Sequence, residues 1–167
     1  MSSSCLWYLR DTYQIPGEPF FGYFRGPYTT EELKEIDDYA YVLGIEVVPC
    51  IQTLGHLAQM LQWPRYNHMQ DTADVLLAES EAVYQFIEKM ISTISAPLRT
   101  KRLHIGMDEA FGLGEGRYRH YNRGVRKDGT KIFTDHLRRV DGICRKLGVK
   151  PLIWSDSQYP FVRLVFG

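Results

Sequence analysis

Leu103-His104-Ile105-Gly106-Met107-Asp108-Glu109-Ala110 is the stretch that decides how this chain folds. A short apolar run, residues 103–106, leads through a glycine into two adjacent carboxylates. Short apolar runs bounded by turn residues read as buried parallel strands. Three more runs share this character, at residues 5–9, 45–51 and 151–154.

Helical patterns lie between the runs. Thr29-Thr30-Glu31-Glu32 reads as a capping box, with Thr29 accepting from the first turn and Glu32 reaching back. Leu33, Ile36, Ala40 and Leu43 then share one helical face, and Gly44 supplies the stop. A second helix is expected from about residue 79 to 94, with Val83, Ile87, Met90 and Ile94 inward. A third is expected from about 131 to 147, with Phe133, Leu137, Val140 and Leu147 inward and Gly148 as its stop.

The order strand, helix, strand, helix, strand, helix, strand predicts βαβ units around a parallel sheet. No linker, low-complexity stretch or close repeat interrupts it, so residues 1–167 read as one α/β domain or part of one. A complete (β/α)₈ barrel needs about 250 residues, more than the 167 present. Two long segments, 53–74 and 111–130, read as loops following the second and third strands. In parallel α/β proteins the C-terminal ends of the strands carry the active site.

Composition narrows the function. Lys plus Arg total 20 and Asp plus Glu total 20, so no excess of positive charge points to nucleic acid. No apolar run approaches the ~20 residues of a membrane span. The N-terminal segment lacks the basic and apolar regions of a secretory signal. Cys5, Cys50 and Cys144 are odd in number and widely spaced, with neither zinc-site nor disulfide-framework spacing. Reduced thiols and a cytoplasmic setting are therefore the expectation.

The chemistry is expected at the strand ends. Like charges held close raise one pKa, which supplies a general acid near neutral pH. Asp108 and Glu109 suit that role, although a capping Asp108 beside a solvated Glu109 is the structural alternative. Neighbouring side chains on a regular strand point to opposite faces. A shared pocket therefore requires the backbone to leave strand geometry near Asp108, as Gly106 and Gly112 permit. His56, in Gln52-Thr53-Leu54-Gly55-His56, follows the second strand in the same way. Asp11 follows the first, either as a turn former or as a partner for His56, and Trp154 and Asp156 end the fourth. No P-loop, dinucleotide fingerprint, His-Glu-x-x-His pair or Gly-x-Ser-x-Gly elbow is present. A metal site drawn from His56, His68 and acids has no recognised spacing.

Asp11-Thr12-Tyr13, Gly22-Tyr23-Phe24-Arg25-Gly26, Ile51-Gln52-Thr53-Leu54-Gly55-His56, His104-Ile105-Gly106-Met107-Asp108-Glu109-Ala110 and Trp154-Ser155-Asp156 together resemble glycoside hydrolase family 20, the β-N-acetylhexosaminidases. The likeness is strongest to compact bacterial exo-N-acetylglucosaminidases and hexosaminidase D-like members. It implies a partial TIM (β/α)₈ barrel, roughly strands 2 to 5 with their helices. It also implies substrate-assisted retaining hydrolysis of terminal N-acetyl-β-hexosamines, an exception to the two-carboxylate scheme. By that resemblance Glu109 is the acid and then the base, and Asp108 orients the 2-acetamido group. His56 supports Glu109, Trp154 walls the acetamido pocket, and Asp11 and Asp156 are supporting residues.

No metal or organic cofactor is implied; the partner is a glycan or small N-acetylhexosaminide, with no nucleic acid and no membrane. Relatives usually carry a second acid before the Asp matching Asp11, where this chain has Arg10. A partial barrel also implies that the isolated chain is poorly active or inactive. A conventional retaining barrel glycosidase and a carbohydrate-binding remnant are the rival readings.

Overall fold

Four apolar runs become four strands. The computed structural model describes residues 3–154. Strands β1 (Ser3–Tyr8), β2 (Ile45–Cys50), β3 (Arg102–His104) and β4 (Lys150–Leu152) form one parallel sheet in the order β1-β2-β3-β4. Register places Cys50 opposite both Tyr8 and His104, and His104 opposite Leu152. Pairing continues past the formal strand ends, through Ile51 N to His104 O at 2.9 Å and Ile105 N to Leu152 O at 2.9 Å. The peptide groups leading to the candidate residues are thereby held in the ladder.

Helix α1 (Thr30–Val42) begins with the expected capping box: Thr29 Oγ1 accepts from Glu32 N at 3.1 Å, and Glu32 Oε2 accepts from Thr29 N at 2.8 Å. Its apolar face departs from expectation. Leu33 and Ala40 are buried, but Leu43 is the C-cap and 56% exposed. Its backbone has left the helix, so the periodic position no longer points inward. Asp37 occupies the buried face instead, satisfied by the Arg99 guanidinium at 2.5 Å.

Helix α2 (Ala58–Leu61) and a 3-10 helix (Pro64–Met69) lie inside the 53–74 segment expected as a loop, and α4 (Arg117–Tyr121) lies inside 111–130. These turns are too short to show periodicity and none has a side-chain N-cap bond. What holds them is burial of Leu57, Met60, Leu61, Tyr66, Met69 and Tyr118. Each such apolar side chain contributes about 1.5–3 kcal/mol.

Helices α3 (Glu81–Ser95) and α5 (Gly129–Lys146) cover the sheet. Val83, Ile87, Met90 and Ile94 of α3 are fully buried, as are Leu137, Val140 and Cys144 of α5 within about 1%. The two helices are also joined by Arg139 to Glu81 at 2.8 Å and by the Arg139 guanidinium 4.2 Å from the Tyr84 ring centre. The core thus lies between these helices and the sheet, leaving the C-terminal strand ends free to form the mouth.

Asp71 ties the two long segments together. Its Oδ2 accepts from Gly114 N at 2.7 Å, its Oδ1 from Tyr118 N at 2.8 Å, and its carbonyl from Arg117 N at 3.0 Å. Burial raises the Asp71 pKa against the opposing pull of the Tyr118, Gly114 and Gly116 N–H groups.

Candidate active site

Strand β3 ends at His104, and the chain then turns sharply. Gly106, Met107 and Glu109 have φ of 71°, 70° and 45°. Non-glycine residues avoid this left-handed region, and clusters of such conformers mark sites where the fold imposes the backbone. The turn abolishes the strict alternation of a strand. Asp108 and Glu109 consequently approach one group, His56, whose Nε2 is 3.4 Å from Asp108 Oδ2 and 3.6 Å from Glu109 Oε2.

His56 itself has φ 57°. Its neighbour Gly55 lets the β2 loop press on the acid loop: a Cβ there would lie 3.2 Å from Ala110 Cα and 3.2 Å from Asp108 O. The histidine side chain is 19% exposed and that of Asp108 22%, whereas that of Glu109 is 57% exposed. Of the two acids, Glu109 faces the solvent side.

Asp108 is also held from beneath. Gln52, fully buried, donates from Nε2 to Asp108 Oδ1 at 2.8 Å and to the Tyr8 hydroxyl at 2.8 Å. Its Oε1 accepts from Met107 N at 3.2 Å. A Cβ at Gly106 would lie 2.2 Å from that oxygen, which explains glycine at this position. Thr53, next in sequence, donates from Oγ1 to Ile105 O at 2.9 Å. The Thr53 carbonyl accepts from His136 Nε2 at 2.9 Å, and His136 Nδ1 faces Tyr84 OH at 3.3 Å. Burial lowers the His136 pKa to about 4, which keeps that ring neutral.

The remaining expected residues are distributed around the mouth. Asp11 lies in the turn after β1, buried, with Oδ1 3.4 Å from Arg25 Nε. Its recorded charge partner is thus Arg25, while His56 turns Nε2 to the acid pair. Trp154, 40% exposed, packs its ring 4.4 Å from the ring of His104. His104 is buried, which lowers its pKa against the Asp108 charge, and its Nδ1 accepts from Gly106 N at 3.1 Å. Asp156 lies outside the described residues. All three cysteines are free; burial, then the Asp108 charge, push the Cys50 thiol up to about 12 and so keep it protonated. His68 is exposed on the 3-10 helix and lines a cleft with Glu18, Arg65 and Lys89. Among the described residues no three His, Cys, Asp or Glu side chains cluster to hold a metal ion, and no helix is long and apolar enough to cross a membrane.

Two residues of the mouth escaped nomination from sequence, Gln52 and Tyr8. Both stand at strand ends, the signal that selected His56 and Asp108, but neither residue type suggests acid–base chemistry. Beside the mouth, half-buried Trp63 stacks on Phe20 at 5.0 Å and meets the exposed Tyr23 and Phe24 at 5.4 and 5.6 Å.

Parallel strands joined by helices, with an acid pair and a histidine gathered at their C-terminal ends, are the arrangement of part of a (β/α) barrel. The chain belongs to glycosyl hydrolase family 20: the model of that family's catalytic domain matches residues 21–162. It is 29% identical over 136 residues to Hexosaminidase D of Homo sapiens, covering 77% of this chain and 28% of that protein. It is 24% identical over 153 residues to a Beta-hexosaminidase of Vibrio furnissii, covering 80% of this chain and 24% of that protein. The fold matches the crystal structure of a beta-N-acetylhexosaminidase from Bacteroides fragilis NCTC 9343 with TM-score 0.77 at 21% identity, over 92% of this chain and 36% of that one. The exo beta-N-acetylglucosaminidase from Vibrio harveyi in complex with N-acetylglucosamine matches with TM-score 0.74 at 20% identity, over 91% and 30%. The chain therefore spans under half the length of these relatives, and its sheet corresponds to part of a barrel.

Proposed function

We propose that this chain carries the acid pair of a β-N-acetylhexosaminidase that removes terminal non-reducing N-acetyl-β-hexosamine residues from glycans by substrate-assisted retention. The observation that carries the reading is the convergence of Asp108 and Glu109 on His56 at the C-terminal strand ends, in a chain of glycosyl hydrolase family 20. The names of its relatives point to the same substrate class.

In the first step the carbonyl oxygen of the substrate's 2-acetamido group bonds to the anomeric carbon. The glycosidic C–O bond breaks, and Glu109, protonated, gives its proton to the departing oxygen. Asp108 accepts from the acetamido N–H and balances the positive charge of the oxazolinium. In the second step ionised Glu109 takes a proton from water as that water attacks the anomeric carbon. The C–O bond to the oxazolinium breaks, which restores the acetamide and leaves the β configuration. Neither acid is a nucleophile, so the separation required between nucleophile and acid in the usual retaining scheme does not apply. Adjacent residues can therefore share the work.

The acetamido group separates this mechanism from a conventional retaining glycosidase. Hydrolysis of 4-nitrophenyl N-acetyl-β-glucosaminide is expected to exceed that of 4-nitrophenyl β-glucoside by at least about a hundredfold in kcat/KM, the scale of losing one transition-state interaction. Comparable rates on the two substrates would count against substrate assistance.

A further inference from the structure

Gln52 supplies no acid, base or nucleophile, yet it sits fully buried at the centre of the mouth with every polar atom engaged. We infer that Gln52 is the positioning residue that fixes Asp108, and that Tyr8, set by the same amide, donates a hydrogen bond from its hydroxyl to an oxygen of the bound N-acetylhexosamine. This inference rests on the hexosaminidase reading and names two residues that serve it.

The carboxamide can adopt only one orientation. A backbone N–H needs an acceptor, so Met107 N at 3.2 Å must face Oε1. The two N–H groups of Nε2 are then aimed at Asp108 Oδ1 and the Tyr8 oxygen, each at 2.8 Å. Two consequences follow from donor and acceptor counting. Asp108 is held as an acceptor through Oδ1 while Oδ2 is turned to His56 at 3.4 Å. The Tyr8 oxygen is likewise an acceptor toward Gln52, so its own proton is left to be given to another acceptor.

Tyr8 is placed to give it to a ligand. It closes β1 at the mouth, is 41% exposed, and has its ring held under the Arg10 guanidinium at 5.1 Å. The backbone is shaped around this arrangement, since any side chain at position 106 would collide with Gln52. An exposed hydroxyl with fixed acceptor and free donor character suits a sugar hydroxyl or acetamido oxygen.

The side-chain amide of Gln52 reports the arrangement directly in the ¹⁵N-labelled full chain. Two distinct N–H resonances, both displaced by hydrogen bonding, are expected; Tyr8→Phe should move one and Asp108→Ala the other. An amide pair indifferent to both substitutions overturns the positioning role. Tyr8→Phe is expected to weaken N-acetylglucosamine binding about tenfold, and an unchanged dissociation constant overturns the Tyr8 contact. With 4-nitrophenyl N-acetyl-β-glucosaminide, Gln52→Met should lower kcat at least about tenfold with KM within about twofold; a loss confined to KM contradicts the role assigned to Gln52. Within a longer chain that completes the barrel, failure of the wild-type sequence both to bind N-acetylglucosamine and to turn over substrate strikes at the hexosaminidase reading and the Tyr8 contact. The amide resonances still decide Gln52 in that case.

Discussion

At the scale of single residues, the candidate site surrounds one acid with buried neighbours and leaves the other toward solvent. Asp108 is gripped by Gln52 and faced by His56, whereas the Glu109 side chain is 57% exposed. That asymmetry suits one group that must hold a fixed part of the substrate and one that must pass a proton to a leaving group and receive one from water. His136 supports the loop from below and makes stability depend on pH. Its folded-state pKa of about 4 lies below the ordinary histidine value of 6.5, so the unfolded chain takes up the proton first. The contribution of neutral His136 is therefore whole above pH 6.5 and declines as pH falls toward 4. It amounts to about 3 kcal/mol at most. His104, also lowered by burial, acts in the same direction, and Asp71, raised by burial, acts in the opposite one. Urea midpoints measured between neutral pH and pH 4.5 should fall, and His136→Gln should flatten the fall. An identical slope in the variant would show that His136 has no such role.

At the scale of elements, the mouth depends on loops that are themselves structured. Asp71 joins the β2 and β3 segments by accepting from Gly114 and Tyr118 while its carbonyl accepts from Arg117. Asp71→Ala leaves these buried N–H groups unpaired and is expected to cost about 2–4 kcal/mol, from two such groups at about 1–3 kcal/mol each with some relaxation. Differential scanning calorimetry checks this, and an unchanged unfolding temperature would contradict the latch. The strands and the three long helices were legible in the sequence because they repeat: apolar runs, a capping box and periodic faces each mark themselves locally. Leu43 misled because a helix end is a matter of one residue's backbone. The short helices around Met60, Tyr66 and Tyr118 left no local trace, since burial and hydrogen bonds from other turns, such as those of Asp71 and Asp74, hold them. The same division runs through the site. Asp108, Glu109 and His56 were legible by residue type and strand-end position, and the need for a bent backbone at Asp108 could be argued from alternation alone. Left-handed Met107 and Glu109, the Arg25 partner of Asp11 and the Gln52–Tyr8 pair could not, because each arises from contacts between distant segments.

At the scale of the whole molecule, the described sheet has two open edges. Among the described residues β1 pairs only with β2 and β4 only with β3, and Leu6, Tyr8 and Leu152 near those edges are 42%, 41% and 37% exposed. Open edges present unpaired backbone groups and are covered in a closed barrel. With the chain spanning 28% and 43% of the two hexosaminidase D proteins it matches, the sugar pocket is proposed to gain further walls from strands beyond these four. The 167-residue chain is then expected to turn over substrate at least about a hundredfold more slowly than the same sequence within a complete barrel, since misplacement of about 1 Å costs that much. Equal specific activity would show that four strands suffice.

The acid pair is tested most directly by kcat/KM on 4-nitrophenyl N-acetyl-β-glucosaminide, measured for the sequence and for its Glu109→Gln variant, both within a longer chain that completes the barrel. The account predicts measurable hydrolysis that Glu109→Gln lowers by about 10²-fold or more, the scale of general acid–base catalysis. Hydrolysis that survives the substitution intact would contradict the role given to Glu109, and with it the mechanism built on the Asp108–Glu109 pair.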